Sequence, residues 1–431
     1  MKVFLDSIGC RLNQSEIEKL GSQFRKEGHE LVDSAAEADL VVVNTCTVTS
    51  AAASDSRQKV RQAGRNPRTE IVVTGCWATM EPEAAAALPG VKTVVLNQSK
   101  DGIAGLFPGM QSSEHNLEPL ARQPLPGLHA RTRAFIKSQD GCNNYCTYCI
   151  TRLARGQSRS QPVEEVLEDI RSAAAGGVKE IVLSGVQLGS WGQELDPPLH
   201  LRDLIRTVLA ETGVPRIRLS SVEPWNLDES FFALWEDPRL CPHFHLPLQS
   251  GAAATLKRMA RNTTPADYRQ LVQLIRSMIP QAAITTDILV GFPGETDEDF
   301  AESLDFVNEM HFAAGHVFPF SPRVGTAAAR MGAQVPPALR KQRASLMRQA
   351  LERSGREYLQ QFIGNEMDVL WESADTLGPD GWKLHGLTGN YIRVTAESPE
   401  LRRNQIDRVI LEEISGDGVR AEIRHNLQIR K

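Results

Sequence analysis

The sequence predicts an α/β chain in three parts: a doubly wound α/β domain at the N-terminus, a partial (β/α)6 barrel in the middle, and a small β-barrel at the C-terminus. Three observations lead there. Over about the first hundred residues, β-branched runs alternate with segments of helical period. The alternation breaks across a proline-bearing stretch and then resumes for six turns. Past Phe362 the helical period is lost, and short strand-like runs between turns replace it. A chain of 431 residues has room for two or three domains and a large core.

In the first part, residues 1–106, Lys2 to Ser7 is patterned as a strand and Gln14 to Glu27 as a helix with Ile17, Leu20 and Phe24 on one face. Asp39 to Asn44 carries the buried-type run Leu40-Val41-Val42-Val43 and is followed by a helical segment through Arg57 and Val60. Glu70 to Thr74 is the third strand. Cys10, Cys46 and Cys76 each follow one of these strands, next to a glycine or another small residue. In an open parallel sheet the carboxyl ends of the strands share one edge, so cysteines far apart in sequence meet there. Each alone reads as packing, since cysteine is often buried. One per unit, in the same position each time, favours a shared metal centre with three thiolate ligands.

Phe107 to Ala130, with Pro108, Pro119, Pro124 and Pro126, reads as a linker over 107–130 or as an ordered lid. Residues 131–362 follow as the partial barrel. Strands fit Ala134 to Ser138, Glu180 to Ser184, Arg216 to Ser220, His243 to Leu248, Ile284 to Val290 and His316 to Phe320. Chemistry belongs at the C-terminal mouth of such a barrel, and the segments GVQLGSWG, SSVEP, PLQSG, GFPGET and SPRVGT follow the strands there.

After the first barrel strand comes GCNNYCTYC, which sets Cys142, Cys146 and Cys149 at a Cys-x3-Cys-x2-Cys spacing in one short loop. Structural zinc takes four protein ligands, usually from paired Cys-x2-Cys knuckles. A four-iron cluster held by three thiolates keeps one iron open for a small molecule. A zinc loop completed by a distant His or Cys is the weaker alternative, because no second knuckle follows.

With Tyr148 just before the last cysteine, this loop resembles the radical S-adenosylmethionine (SAM) enzymes. The resemblance implies that the amino and carboxylate groups of SAM bind the open iron. Together with IGCRLNQSE around Cys10, VVVNTCTVTSAAASDSRQ around Cys46 and VVTGCWA around Cys76, it extends to the methylthiotransferases over nearly the whole chain. It implies two [4Fe-4S] clusters, one on Cys10, Cys46 and Cys76 and one on Cys142, Cys146 and Cys149. It also implies a SAM site on Tyr148, Gly185, Gln187 and Gly189, with Glu223, Gln249 and Arg258 as neighbours. The chain departs from the family in reading ITRLARG where relatives place a proline near Arg152. Gln187 and Trp191 stand where His and Tyr are expected, and Thr263 where an aromatic is usual.

Beyond Pro336 and Pro337, Ala338 to Phe362 reads as one amphipathic helix. Leu339, Leu346, Ala350 and Leu351 line one face, and Arg340, Lys341, Arg343, Arg348, Arg353 and Arg356 the others. The basic excess reads as a solvated face or as a patch for an RNA phosphate backbone, with Arg340, Lys341 and Arg343 as contacts. Residues 363–431 show strand-like runs at Met367 to Trp371, Tyr391 to Val394, Val409 to Ile414 and Arg420 to Ile423. GLTGNYIRV resembles the RNA-binding TRAM module, which makes Arg393, Arg402, Arg403 and Arg408 candidate phosphate contacts. A TRAM-like barrel of this size can also simply brace its neighbour.

The formal charge of -5 argues against a globally basic nucleic-acid sleeve, so RNA contact falls to local patches. The N-terminal MKVFLDSIGC lacks a basic region followed by an apolar run, and no later run is long enough to span a bilayer, which reads as a cytoplasmic protein. Of the seven cysteines, Cys241 precedes its strand and reads as a bystander. As the family resemblance implies, one SAM methylates sulfur held at the first cluster. A second SAM splits to a 5'-deoxyadenosyl radical that takes hydrogen from the substrate carbon. Partners are then tRNA at its anticodon stem-loop, an electron donor such as a flavodoxin or ferredoxin, and a sulfur donor. SQDGCNNYCTYC with HVFPFSPRVGTAAARM looks most like the branch that adds methylthio to C2 of N6-threonylcarbamoyladenosine. The branches acting on isopentenyladenosine in tRNA and on an aspartate of a ribosomal small-subunit protein are the alternatives.

Overall fold

A computed structural model of the chain describes residues 1–109, 132–225, 227–378 and 381–424. Most of the 107–130 stretch therefore lies outside the described residues. The backbone divides into two units. Met1–Gly176, Leu183–Thr212 and Ser321–Ala329 form the first; Gly177–Val182, Gly213–Phe320 and Arg330–Lys431 form the second.

The first unit is built on a five-stranded parallel sheet: Lys2–Ser7 (β1), Glu30–Leu31 (β2), Leu40–Thr45 (β3), Glu70–Gly75 (β4) and Val91–Val94 (β5). Their order is β2-β1-β3-β4-β5, as doubly wound topology requires. The Leu40–Val43 run is apolar throughout because both faces are covered. Val41 and Val43 pack with Val60, Val73 and Trp77, whereas Leu40 and Val42 pack with Ile17, Leu20 and Phe24. Each such side chain contributes roughly 1.5–3 kcal/mol on burial. The Ile17, Leu20 and Phe24 face belongs to helix α1, Arg11–Lys26. Helix α2, Ser50–Ala63, starts where the Thr49 side chain accepts the Ala52 amide, a cap worth about 1 kcal/mol. A one-turn helix, Cys76–Met80 (α3), follows β4 directly.

The same unit contains Arg133–Lys137 (β6) and an antiparallel pair, Gln139–Asp140 (β7) with Arg159–Ser160 (β8). The loop between β7 and β8 carries the second cysteine triplet and the short helix Thr151–Arg155, which stops at Gly156, φ +81°. Glu180–Ser184 (β9) ends beside it, with the Ser138 amide donating to the Ser184 carbonyl at 2.8 Å.

In the second unit, Arg216–Leu219 (β10) leads by parallel bridges, Ile217 to Leu240 and Ser221 to His245, into a parallel sheet. That sheet is His243–His245 (β11), Ala283–Val290 (β12) and Ala314–Pro319 (β13). β11 is shorter than the expected His243 to Leu248, because Pro247 has no N–H for the ladder. Helices Pro265–Met278 and Asp297–Met310 begin at reciprocal capping boxes, Thr264 with Asp267 and Thr296 with Asp299.

The basic helix runs Pro337–Gln360, and its packed face is Ala344, Met347, Ala350 and Leu351. Leu346, expected on that face, is exposed instead. Glu366–Gly378 (β14), Gly381–Thr388 (β15), Arg393–Ser398 (β16), Ile406–Ser415 (β17) and Gly418–Ile423 (β18) close a barrel in the order β14-β15-β16-β18-β17. Its core holds Val369, Trp371, Leu384, Val394, Val409 and Leu411. β15 escapes strand patterning because Gly381 and Gly386 interrupt its sequence, GWKLHGLT. A Cβ at Gly386 would lie 2.4 Å from the Val369 side chain, so the barrel needs that glycine for close packing. No described helix is long and apolar enough to cross a membrane.

Candidate active site

Strand register fixes the first cysteine triplet. Ser7 pairs with Asn44, Asn44 with Thr74 and Thr45 with Gly75, so β1, β3 and β4 end flush at one sheet edge. Cys10 caps α1, Cys46 follows β3 and Cys76 opens α3. Cys46 and Cys76 are buried, whereas Cys10 is exposed. Gly9, φ +111°, brings the first turn so close that a Cβ there would lie 2.5 Å from Cys46 Cβ and 2.7 Å from its Sγ. Gly75, φ +96°, is hemmed in likewise by the Thr45 backbone. Burial pushes the Cys46 thiol up to about 11, and nearby Cys76 and Cys10 add to the rise. A buried thiol of that kind gives up its proton to a metal rather than to water.

Cations surround these sulfurs. Arg155 feels the charges of Cys76 and Cys10, and Arg323 that of Cys46. Among the described residues the buried Arg323 Nη2 has no hydrogen-bond partner. Arg323 lies on the SPRVGT segment, whose Ser321 hydroxyl is 3.0 Å from that of Ser50 at the start of α2. The orphaned guanidinium nitrogen and three thiols at one sheet edge suit an anionic thiolate-held cluster. No three His, Cys, Asp or Glu side chains among the described residues are already gathered at metal-binding spacing. What the three thiols share is their place just past the strand ends at one sheet edge.

The second triplet is shaped by its backbone. Gly141, φ +69°, has room only for hydrogen, since a Cβ would lie 1.9 Å from the Gln157 carbonyl oxygen. Amide N–H groups point at the sulfurs: Asn144 to Cys142 Sγ and Thr151 to Cys149 Sγ, both at 3.4 Å. Such N–H···S contacts suit thiolate ligands of an iron–sulfur cluster. Cys142 Sγ lies 3.2 Å from Gln187 Oε1, which brings the post-β9 segment to the cysteine loop. Buried Gln139 ties the two together, donating to the Gly141 carbonyl at 2.9 Å and accepting the Gln187 amide at 2.8 Å. A Cβ at Gly185 would crowd Gln139 at 2.9 Å, and Gly189 sits in the short turn Leu188–Ser190. Tyr148 is half-buried on the cysteine loop.

Glu223, Gln249 and Arg258 lie in the second unit. Glu223 accepts from Arg261 at 2.7 Å, and Arg258 is bound to Asp299 at 2.5 Å. Gln249 holds a left-handed backbone, φ +76°, and donates to the Asp287 carbonyl at 2.8 Å. Cys241 is buried, with Sγ 3.9 Å from Glu180 Oε2.

The basic candidates need one correction. Arg343 is buried and held by Glu295 and Asp297, both at 2.6 Å, so it braces the helix against the loop before Asp297–Met310 and offers nothing to a phosphate. Arg340 is half-buried and donates to the Phe320 carbonyl, while Lys341 is exposed. On the barrel, Arg393 pairs with Asp417, Arg402 with Asp407 and Glu400, and Arg408 with Asp368 and Glu366. Arg403 donates to the Glu372 carbonyl at 3.2 Å. A phosphate would have to compete with these acids.

Sequence reasoning missed the polar residues behind the cysteines: Asn13, Glu16, Asn97, Lys100, Lys137, Asp140 and Arg155, all buried. Asn13 and Glu16 lie in the IGCRLNQSE motif, whose later polar positions were the available signal.

Residues 136–307 match the model of the Radical SAM superfamily, and residues 2–97 that of the family described as uncharacterized protein family UPF0004. The chain is 34% identical over 409 residues to the threonylcarbamoyladenosine tRNA methylthiotransferase MtaB of Bacillus subtilis (strain 168), covering 92% of this chain and 91% of that protein. It is 37% identical over 378 residues to the protein of that name from Thermotoga maritima, covering 86% of each. Among solved structures, the radical S-adenosylmethionine methyltransferase TsrM from Kitasatospora setae superposes with a TM-score of 0.56 at 16% identity. The match covers 76% of this chain and 74% of that one, a likeness of fold.

Proposed function

This chain belongs to the radical SAM methylthiotransferases, and from that premise we propose that it adds a methylthio group to C2 of N6-threonylcarbamoyladenosine next to the anticodon of tRNA. The observation that carries the reading is the pairing, within one unit, of two three-cysteine sites: one on the flush ends of β1, β3 and β4, the other on the β7–β8 loop. The names of the two relatives support the substrate.

Cys142, Cys146 and Cys149 would hold one [4Fe-4S] cluster with an iron left for SAM, and Cys10, Cys46 and Cys76 would hold a second. Bound there, SAM and the clusters supply the radical chemistry that an unreactive aromatic C–H bond demands and that side-chain acids and bases cannot. The chain's own residues orient and shield. The Asn144 and Thr151 amides fix two of the loop sulfurs, and Gln139 keeps the Gln187 segment against the loop. Tyr148, Gly185, Gln187 and Gly189 form the SAM side. As glycines, Gly185 and Gly189 would offer only backbone to a ligand held there. Lys341 and the barrel arginines Arg393, Arg402, Arg403 and Arg408 would meet tRNA phosphates, exchanging intramolecular acids for the RNA. A one-electron donor of the flavodoxin or ferredoxin kind and a separate sulfur donor complete the set of partners.

The test is iron and acid-labile sulfide per chain after anaerobic reconstitution, wild type beside a Cys142/Cys146/Cys149→Ala variant and a Cys10/Cys46/Cys76→Ala variant. Two clusters in the wild type and one in each variant, with 2-methylthio-N6-threonylcarbamoyladenosine in mass spectra of treated tRNA, is the expected result. One cluster in the wild type, lost entirely with the loop cysteines from protein that still folds, would reduce the chain to a one-cluster radical enzyme. Product on isopentenyladenosine alone would move it to the other tRNA branch.

A further inference from the structure

Burying ions is costly, and an apolar core of similar volume often serves stability as well or better. Yet the first unit buries five charged side chains in one place. Arg155 Nη1 is 2.9 Å from both Glu16 Oε1 and Asp140 Oδ1. Lys100 reaches Glu16 at 2.5 Å, and Lys137 reaches Glu16 at 3.3 Å and Asp140 at 3.0 Å. Among the buried side chains three cations face two carboxylates, which leaves one positive charge in surplus; the half-exposed Arg159 also approaches Asp140 at 3.8 Å, and Asp101 acts on Lys137 from nearby.

The cluster branches to both triplets. Arg155 Nη2 donates to Asn13 Oδ1 at 2.6 Å, and that oxygen lies 3.7 Å from Cys10 Sγ. Asn13 Nδ2 in turn donates to the Ile8 and Thr45 carbonyls at 2.7 and 3.1 Å, tying the ends of β1 and β3 together. Lys100 donates to Asn97 Oδ1 at 2.9 Å, and Asn97 Nδ2 lies 3.6 Å from Cys76 Sγ. In the other direction Asp140 accepts the Gly141 amide at 2.8 Å, immediately before Cys142. Cys10 is thus one side chain, Asn13, from the Arg155 guanidinium, Cys142 reaches it through the Gly141 amide and Asp140, and Cys76 through Asn97, Lys100 and Glu16.

We infer that Arg155 is a positioning residue that joins the two cysteine triplets through one buried polar network and keeps a surplus positive charge beside the N-terminal thiols, so that a cluster held there accepts an electron more readily. The inference rests on the proposal that Cys10, Cys46 and Cys76 hold a cluster. Reduction adds one electron from an external low-potential donor to the centre and makes it more negative, with no bond formed or broken. A cation a few ångströms away in a low-dielectric interior favours that more negative state. Neutralising the cation disfavours it, and neutralising one of the two carboxylates favours it further.

Opposite signs make the test. In the Cys142/Cys146/Cys149→Ala background, with only the N-terminal triplet left, the reconstituted centre is titrated with dithionite and followed by electron paramagnetic resonance. Arg155→Gln is expected to weaken reduction tenfold or more, about 59 mV to the negative for one electron. Glu16→Gln is expected to strengthen it by a similar factor. Arg155→Lys, which keeps the charge and loses the fork, should stay within about threefold of the parent. A residue that only packs would move neither potential, or both in the same direction, and that result overturns the inference. If Arg155→Gln fails to fold, the sign of the Glu16→Gln shift decides alone. A parent that folds but binds no iron overturns both this inference and the two-cluster reading; iron bound with unmoved potentials overturns only this one.

Discussion

Arg218 and Glu180 form a two-pronged ion pair with no solvent exposure, Nε to Oε1 at 2.7 Å and Nη2 to Oε2 at 3.1 Å. The remaining guanidinium nitrogen, Nη1, donates to the Gly389 carbonyl at 2.8 Å, and the group lies 4.9 Å over the Tyr391 ring. Arg216 adds a bond to the Leu387 carbonyl at 2.9 Å. The end of β15 and the turn after it are therefore fastened to β10 by two arginines that share the Glu180 carboxylate, which Arg216 Nε approaches at 3.0 Å. Bracing by the C-terminal barrel is thus built in, whatever RNA contact it also makes. Arg218→Met should lower unfolding free energy by about 3–5 kcal/mol, because Glu180 is left buried without its main partner. Denaturant unfolding measures the loss, and limited proteolysis should release the barrel earlier than in the wild type.

Gly9 is expected to be indispensable for the proposed cluster site on Cys10, Cys46 and Cys76. Alanine there meets a left-handed backbone, φ +111°, and the Cys46 side chain at 2.5 Å. Gly9→Ala should lose the iron of the N-terminal triplet while the loop triplet keeps its own. Iron per chain, measured in the presence and absence of the loop cysteines, separates the two.

Arg343 and Lys341 are neighbours on one helix with opposite expected behaviour. Arg343→Ala strands Glu295, which is 3% exposed, and should cost about 3–5 kcal/mol of stability. Lys341→Ala should leave stability within about 0.5 kcal/mol, as an exposed substitution does. If Lys341 touches a phosphate, its loss weakens tRNA binding and flattens the salt dependence by about one ion. An unchanged salt slope would remove it from the interface.

Acid should act through Glu16. Burial alone would raise its pKa, but Arg155, Lys100 and Lys137 outweigh that and hold the carboxyl well below its ordinary value. A folded pKa below the unfolded one means stabilisation that is complete above about pH 5 and lost as pH falls through about 4 toward the folded value. Glu16→Gln removes the dependence. The acid limb of a plot of unfolding free energy against pH should be shallower in the variant, and parallel limbs would exclude the effect.

Much of the fold follows from local pattern. The apolar run Leu40–Val43, rich in valine, fits a strand covered on both faces, and α1 places Ile17, Leu20 and Phe24 on one side by its period. The six candidate cysteines stand out in the sequence because their spacing and their repeated position after strands are sequence properties. β15 was not legible, since Gly381 and Gly386 hide a strand whose small residues serve a close approach to Val369. The packed face of Pro337–Gln360 was misread for a related reason. A basic helix has several apolar stripes, and only its partner decides which is buried, here Met347 over Leu346.

The sequence by itself determined the strand and helix order, the two cysteine triplets and the family resemblance, because these depend on residue type and short spacing. Only the tertiary structure decided which charged residues lie inside. Arg343, Arg155 and Lys100 look like solvated surface in the chain, and each is buried against carboxylates supplied from elsewhere in it. Glu16 and Arg155 are separated by 139 positions and lie 2.9 Å apart. Electrostatic pairing over such separations depends on how strand ends and loops converge, and no local pattern records that convergence.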